Sequence, residues 1–209
     1  MLAIVVGYLI GSIPFSYILP KFLRGVDVRK VGTGNVGGSN AIRNAGVIVG
    51  SIAGTLDFLK GLFAAILISK LANNPTTINF ALLMIVVGHC FPIFLSFHGG
   101  RGIAPALGIL LYIDQRLFGL FVTISIAGII LKEAAFGTFL GIVMVLPAAK
   151  LLHVESFGAI ILITIFLLFR RVTFVWQDLK EGKPLFLSII NRLLFDAPTK
   201  KKYEMILRR

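Results

Sequence analysis

Apolar residues in this chain run in long blocks separated by short polar or glycine-rich breaks, with no sustained alternation of the kind a half-buried strand requires. The first block, Leu2–Leu23, contains Gly11-Ser12-Ile13-Pro14. Proline removes a backbone donor and collides with the preceding turn, so a kinked or unwound helix is predicted there. A polar stretch from Arg24 to Gly46 follows and reads as a loop. Val47–Leu71 is the second apolar block, Asn73-Asn74-Pro75 a turn, and Thr77–Phe97 the third block. After a second glycine-rich segment come Ile103–Ile113, Leu117–Leu131, Ala134–Leu152 and Ser156–Phe169, with Asp114-Gln115-Arg116 and Lys132-Glu133 as polar breaks. Several blocks fall short of the roughly 20 residues that a perpendicular membrane helix needs, so tilted or half-length helices are expected. The pattern predicts an all-α, polytopic integral membrane protein with about seven transmembrane helices, or about five if the shortest blocks are re-entrant.

Composition sharpens this picture. The chain is 57% hydrophobic with a mean hydropathy of +0.94, which excludes an ordinary soluble domain. The stretch Leu2–Leu19 lacks a basic leader and a small-residue cleavage site, so it reads as a retained first span. The net charge is +12 and unevenly placed. Putting both glycine-rich segments, Lys132-Glu133 and the C-terminal tail on one side gathers Arg24, Arg29, Lys30, Arg43, Arg101, Lys132 and the tail cations there, against Lys70, Arg116 and Lys150 opposite. The positive-inside bias then makes that side cytoplasmic and the N-terminus external. The expected division is a transmembrane domain over 1–175 and a basic cytoplasmic tail over 176–209. From Arg170 to Arg209 there are ten Lys/Arg and four Asp/Glu, a balance suited to an anionic inner leaflet. Within the tail, Leu185–Phe195 is apolar enough to lie in the interface as an amphipathic helix, with Lys200-Lys201-Lys202 after it. No aromatic and basic platform accompanies the charge, so nucleic-acid binding is not expected. The single cysteine, Cys90, excludes an intrachain disulfide.

The two glycine-rich segments carry the candidate chemistry. The first runs Gly32-Thr33-Gly34-Asn35-Val36-Gly37-Gly38-Ser39-Asn40-Ala41-Ile42-Arg43. Its glycines permit positive φ and let amide N–H groups converge on an anion. Thr33, Asn35, Ser39 and Asn40 add neutral donors, and Arg43 a fork that can take phosphate with two bonds. A flexible linker or close helix packing would use the same glycines, and the segment lacks the Gly-Lys-Ser/Thr of a P-loop. The second segment ends in Gly99-Gly100-Arg101-Gly102, a compact nest ahead of a predicted helix start. His89 falls inside the third apolar block, where an ionisable residue is a functional candidate, although a hydrogen bond between helices is the plainer alternative. Asp57 and Lys60, spaced i, i+3 in the second block, should pair with one another or face a polar cavity. The three histidines do not fall at metal-ligand spacing, so neither a metal nor another cofactor is expected.

At these residues the chain resembles the bacterial acyl-phosphate:glycerol-3-phosphate acyltransferase family (PlsY-type). The match runs from Gly11-Ser12-Ile13-Pro14 through the first glycine-rich segment, Asp57-Phe58-Leu59-Lys60-Gly61 and Gly88-His89-Cys90-Phe91-Pro92, to Phe97-His98-Gly99-Gly100-Arg101-Gly102. The resemblance implies a seven-helix enzyme of phospholipid biosynthesis. It would move an acyl group from acyl phosphate to the 1-hydroxyl of glycerol 3-phosphate, forming lysophosphatidic acid without a metal. It places Thr33, Asn35, Asn40 and Arg43 around the phosphate and polyol, beside Gly34, Gly37 and Ser39 of the same candidate loop, and Gly99, Gly100, Arg101 and Gly102 on a phosphate. His89 would sit in the polar core of that site as the candidate catalytic base, with a phosphate oxygen of the substrate as the other candidate, and Asp57 and Lys60 would support the cavity. The chain departs from the family pattern at Thr33 (usually Ser), Arg101 (usually Lys) and Ala135 (usually Ser). At Arg170-Arg171-Val172-Thr173-Phe174 the usual Arg-His-x-x-Asn is missing, and Arg171 is the nearest charged substitute for that His and Asn. A paralogue that binds phosphorylated lipid precursors without turnover, or with altered specificity, and a small transporter are the alternatives.

Overall fold

A computed structural model describes residues 1–173 and 175–196, with Gln177 described by its backbone alone. Among these residues the secondary structure is helical throughout, without a strand. The helices are α1 (Leu2–Gly11), α2 (Phe15–Arg24), α3 (Gly38–Ala45), α4 (Val47–Leu71), α5 (Pro75–Cys90), α6 (Ile103–Ile113), α7 (Gln115–Ile130), α8 (Ala134–Leu151), α9 (Phe157–Val172), α10 (Val175–Lys180) and α11 (Leu185–Phe195). Among the described residues, Leu2–Arg24, Val47–Leu71, Pro75–Leu95 and Ala134–Leu151 are long and apolar enough to cross a membrane. Ile103–Ile113, Gln115–Ile130 and Leu185–Phe195 are shorter apolar helices. The Lys200-Lys201-Lys202 run lies outside the described residues.

The break at Gly11–Pro14 is present and separates α1 from α2. Lys60 Nζ donates to the Ile13 carbonyl that the break exposes, and Ser12 Oγ donates to Tyr8 O at 2.8 Å. Two expectations are corrected. The Arg24–Gly46 stretch is not all loop, because Gly38–Ala45 forms α3. The third apolar block also ends as a helix at Cys90, where the chain passes through Pro92 into a short 3₁₀ turn at Ile93–Leu95. Proline cannot extend the preceding helical ladder.

By its contacts the chain falls into two compact units. The first is Met1–Gln115 with His153–Ile163, and its helices meet through glycines. In α1, a side chain at Gly7 would sit 2.6 Å from Ala81 O, and one at Gly11 would overlap the Ile85 carbonyl. From the other side, Gly88 of α5 abuts Tyr8 O. Helix α4 meets α6 at Gly61 against Pro105 and at Gly108 against Phe58, and meets α3 at Gly50 against Ile42 and Gly54 against Gly38. In lipid, apolar contact alone gives helices little reason to associate. Close backbone approach over small residues supplies the dispersion that holds them together. The second unit is Arg116–Leu152 with Thr164–Arg209, described up to residue 196. There α7 and α8 meet glycine to glycine, Gly128 on Gly137, and α11 packs on α8 and α10.

Candidate active site

The first glycine-rich segment folds around the side chain of Asn40, which is almost fully buried. Asn40 Oδ1 accepts from Thr33 N at 3.1 Å and Asn44 Nδ2 at 3.0 Å. Its Nδ2 donates to Val28 O at 2.9 Å, Asn35 O at 3.1 Å and Val31 O at 3.2 Å. Each of these partners is backbone of the same loop or the side chain one helical turn on. Asn40 thereby pairs the Thr33 amide and the Val28, Val31 and Asn35 carbonyls of the loop. Gly32 (φ 60°) and Gly34 (φ 69°) take the left-handed conformations that this path needs. Below the loop, Val28, Val36 and Ala41 pack with Leu95 of the 3₁₀ turn in a small apolar cluster. Beside it, Arg29 holds Asp27 through Nε at 3.0 Å and Nη2 at 2.8 Å, which draws the Asp27 carboxyl down from 3.8 to about 2.

The second segment returns over the end of α5. Gly100 N donates to His89 O at 3.0 Å. A side chain at Gly100 would collide with His89 Nε2 and the Val36 carbonyl, and one at Gly99 with His89 O. The two glycine-rich segments therefore touch, at Gly100 and Val36, with His89 beneath. Along the chain they are separate candidate anion loops on one membrane face. Their contact is a tertiary fact.

Under that contact lies a buried ionic cluster. Asp57 accepts from Ser16 N at 3.1 Å and from Ser16 Oγ. It pairs with Lys60 Nζ at 2.7 Å and stands 3.7 Å from His89 Nδ1. The expected i, i+3 pairing of Asp57 and Lys60 is present, and Ser16 and His89 extend it to α2 and α5. Charges this deep persist only when paired and hydrogen-bonded, a condition these partners meet.

The glycine-rich segments also deliver two helix starts to one place. Helix α3 begins at Gly38 after an extended Gly37, and α6 begins at Ile103 after Gly102 (φ 84°); neither start carries a side-chain cap. A cleft of about 560 Å³ is lined by Gly38, Ser39 and Arg43 of α3, by Thr55 and Phe58 of α4, and by Ala104 and Leu107 of α6, among others. Ser39 and Arg43 thus reach this cleft, along a helical face. Thr33 and Gly34 are exposed on the loop, and Asn35 and Gly37 are half-buried. Arg101 is half-buried immediately before the Gly102 cap of α6, while Gly99, Gly100 and Gly102 are buried. Arg171 lies in the second unit, where its guanidinium donates to Ala135 O at 3.2 Å and Leu193 O at 2.6 Å. Ser51 and Thr55, also cleft-lining, were not picked out from the sequence. Their signal was the Gly50-x-x-x-Gly54 spacing, which marks a close helix contact and exposes the polar residues beside it.

The sequence pattern of the family described as Glycerol-3-phosphate acyltransferase matches residues 1–179. The chain belongs to this family. The glycerol-3-phosphate acyltransferase 2 of Thermotoga maritima is 40% identical over 161 residues, covering 76% of this chain and 82% of that protein. The glycerol-3-phosphate acyltransferase of Thermotoga petrophila is 51% identical over 106 residues, which span 51% of this chain and only 54% of that protein. Among solved structures, PlsY (YgiH), described as an integral membrane glycerol 3-phosphate acyltransferase, is similar in its glycerol 3-phosphate form with a TM-score of 0.75 and 28% identity. That match covers 88% of this chain and 93% of the other. The lysophosphatidic acid form of the same protein gives a TM-score of 0.73 at 27% identity, over 87% of this chain and 91% of the other. The expected fold class, an all-α integral membrane protein, agrees with this family.

Proposed function

We propose that this chain is an acyltransferase that moves a fatty acyl group from acyl phosphate to the 1-hydroxyl of glycerol 3-phosphate, releasing inorganic phosphate and forming lysophosphatidic acid. The observation that carries this reading is the cleft where the starts of α3 and α6 come together with Arg43 and Ser39. Helix starts present N–H groups and a positive dipole end, which suit phosphate. Arg43 adds charge-assisted bonds, and Arg101 stands next to the α6 start. Phe58 and Leu107 on the same cleft provide apolar surface for an acyl chain beside the phosphate.

In this reading the acceptor hydroxyl attacks the acyl carbonyl, the carbon–oxygen bond to phosphate breaks, and phosphate leaves with the bonding pair. Phosphate is a good leaving group, so orientation and anion stabilisation supply most of the acceleration. His89 is almost fully buried between Asp57 and Gly100, a setting suited to holding the second segment in place. The hydroxyl proton then passes to a phosphate oxygen of the substrate. Thr33, Asn35 and Asn40 hold the first segment in the shape that aims α3, with Asp57 and Lys60 as its footing.

The site faces the cytoplasm of a bacterial cell with an anionic inner leaflet, and the N-terminus is outside. The Lys/Arg asymmetry supports this orientation. The deciding experiment incubates purified protein with acyl phosphate and glycerol 3-phosphate and follows both phosphate release and lysophosphatidic acid. Equal yields of the two are expected; release without the acylated product would replace acyl transfer by hydrolysis or another acceptor. For orientation, a cysteine at Ser39 in a Cys90-free background should resist impermeant thiol reagents added outside intact cells. Ready labelling would invert the topology.

A further inference from the structure

Helix α11 turns its polar residues inward and its apolar residues outward. Ser188, Asn191 and Arg192 are buried, whereas Leu185 is 55% and Phe186 72% exposed, and Ile189, Ile190, Leu193 and Leu194 are half-buried. A helix resting on a water-soluble protein does the reverse. The inward face is held through the last turn of the helix. Arg192 grips the buried Asp178 of α10 with Nε at 2.8 Å and Nη2 at 3.1 Å, and Lys183 adds a bond at 3.1 Å. Gly182 (φ 73°) makes the turn between the two helices possible. One residue on from Arg192, Arg171 donates to Leu193 O, and the Phe195 ring stands 6.2 Å from that of Phe136 on α8. The apolar side thus faces out by construction. The family pattern stops at residue 179, so all of α11 lies beyond it.

The length and the flanking charge say what covers this face. An 11-residue helix rises about 16 Å, half of a hydrocarbon core of about 30 Å, so it cannot cross. The chain from Arg170 to Arg209 holds ten Lys/Arg against four Asp/Glu, with Lys180 before α11 and Lys200, Lys201 and Lys202 after it in sequence, while Lys183 is taken up by Asp178 and Glu181. A two-fold pairing of chains over the same face would bring like-charged flanks together. A leaflet with anionic headgroups would satisfy both the face and the flanks.

We propose that α11 is an interfacial anchor, with Leu185 and Phe186 seated at the acyl-chain boundary of an anionic leaflet, whose headgroups the basic balance of the C-terminal region attracts. The test uses the full chain in phosphatidylcholine–phosphatidylglycerol vesicles. Phe186→Trp in a Trp176→Phe background puts the one fluorophore on the outer face. Several-fold stronger quenching by lipids brominated near the headgroup end of the acyl chain than by aqueous iodide is expected. Brominated phosphatidylglycerol should also quench more than brominated phosphatidylcholine at equal fraction. Strong iodide quenching without bromolipid quenching would overturn the anchor, and equal quenching by the two headgroups would overturn the anionic preference. Bromolipid quenching that disappears as protein density rises would assign the face to a second copy and also overturn it. Should the variant fail to fold by circular dichroism, wild-type protein gives the reading instead. Its single tryptophan, Trp176, is exposed on α10 beside Lys180, and the same bromolipid-over-iodide ordering is expected of it.

Discussion

Replacing Gly100 by alanine adds one methyl group at the point where the two glycine-rich segments touch. That methyl would fall on His89 Nε2 and on the Val36 carbonyl oxygen, both far inside the 3.4 Å at which ordinary contact begins. Neither neighbour yields easily, since Val36 O is backbone and His89 is wedged against Asp57. Relief needs the segments to separate by about 1 Å, a misplacement that can cost on the order of a hundredfold in rate. The stability cost is that of overpacking, about 1–3 kcal/mol. The control is Gly119→Ala. Gly119 is exposed on α7 with nothing within 4 Å of an added methyl, so about 1 kcal/mol of helix propensity should be gained and kinetics unchanged. Both variants are purified in detergent, unfolded by heat, and assayed for acyl transfer across glycerol 3-phosphate concentrations. Wild-type stability and kcat/KM in Gly100→Ala would refute the claim that the two segments are built against one another.

Arg43→Ala and Arg101→Ala should each lower kcat/KM for glycerol 3-phosphate or acyl phosphate by about ten- to a hundredfold, from about 1.5–3 kcal/mol for a bond to a charged group, with melting temperatures close to wild type. Asp57→Asn leaves Lys60 without its buried counter-charge, so a loss of about 3–5 kcal/mol is expected in detergent unfolding, and an unchanged transition would remove the cluster from the stability argument. Asp27→Asn tests a surface pair. Because the Asp27 carboxyl is drawn down from 3.8 to about 2 by Arg29, the pair contributes fully above about pH 4 and its contribution is lost as pH falls toward 2. Being solvent-exposed, the pair should be worth under about 1 kcal/mol at pH 7. Wild type and variant should therefore converge in acid-unfolding curves, and a difference that grows toward pH 2 would contradict the assignment.

The hydropathy pattern by itself determined that the chain is a helical membrane protein, where most helices lie, and that the first is broken at Gly11–Pro14. Each of these depends on local chemistry: apolar length against bilayer thickness, and the missing N–H of proline. The two glycine-rich segments and the Asp57–Lys60 pair were legible for the same reason. Helix α3 was not, because Gly38–Ala45 is short and rich in Gly, Ser and Asn, residues that also make loops, and it packs Gly38 and Ile42 on Gly54 and Gly50. The inward work of Asn40 was equally hidden, since a side chain that could serve a ligand serves a loop when five backbone and side-chain partners surround it. The contact of Gly100 with Val36 and the approach of His89 to Asp57 join residues far apart in the chain, and no local preference encodes them. For α11, composition showed an amphipathic helix but not which side faces out. That was decided by Asp178 and Arg171, which draw the polar face and the last carbonyls inward because buried charge and backbone must be paired.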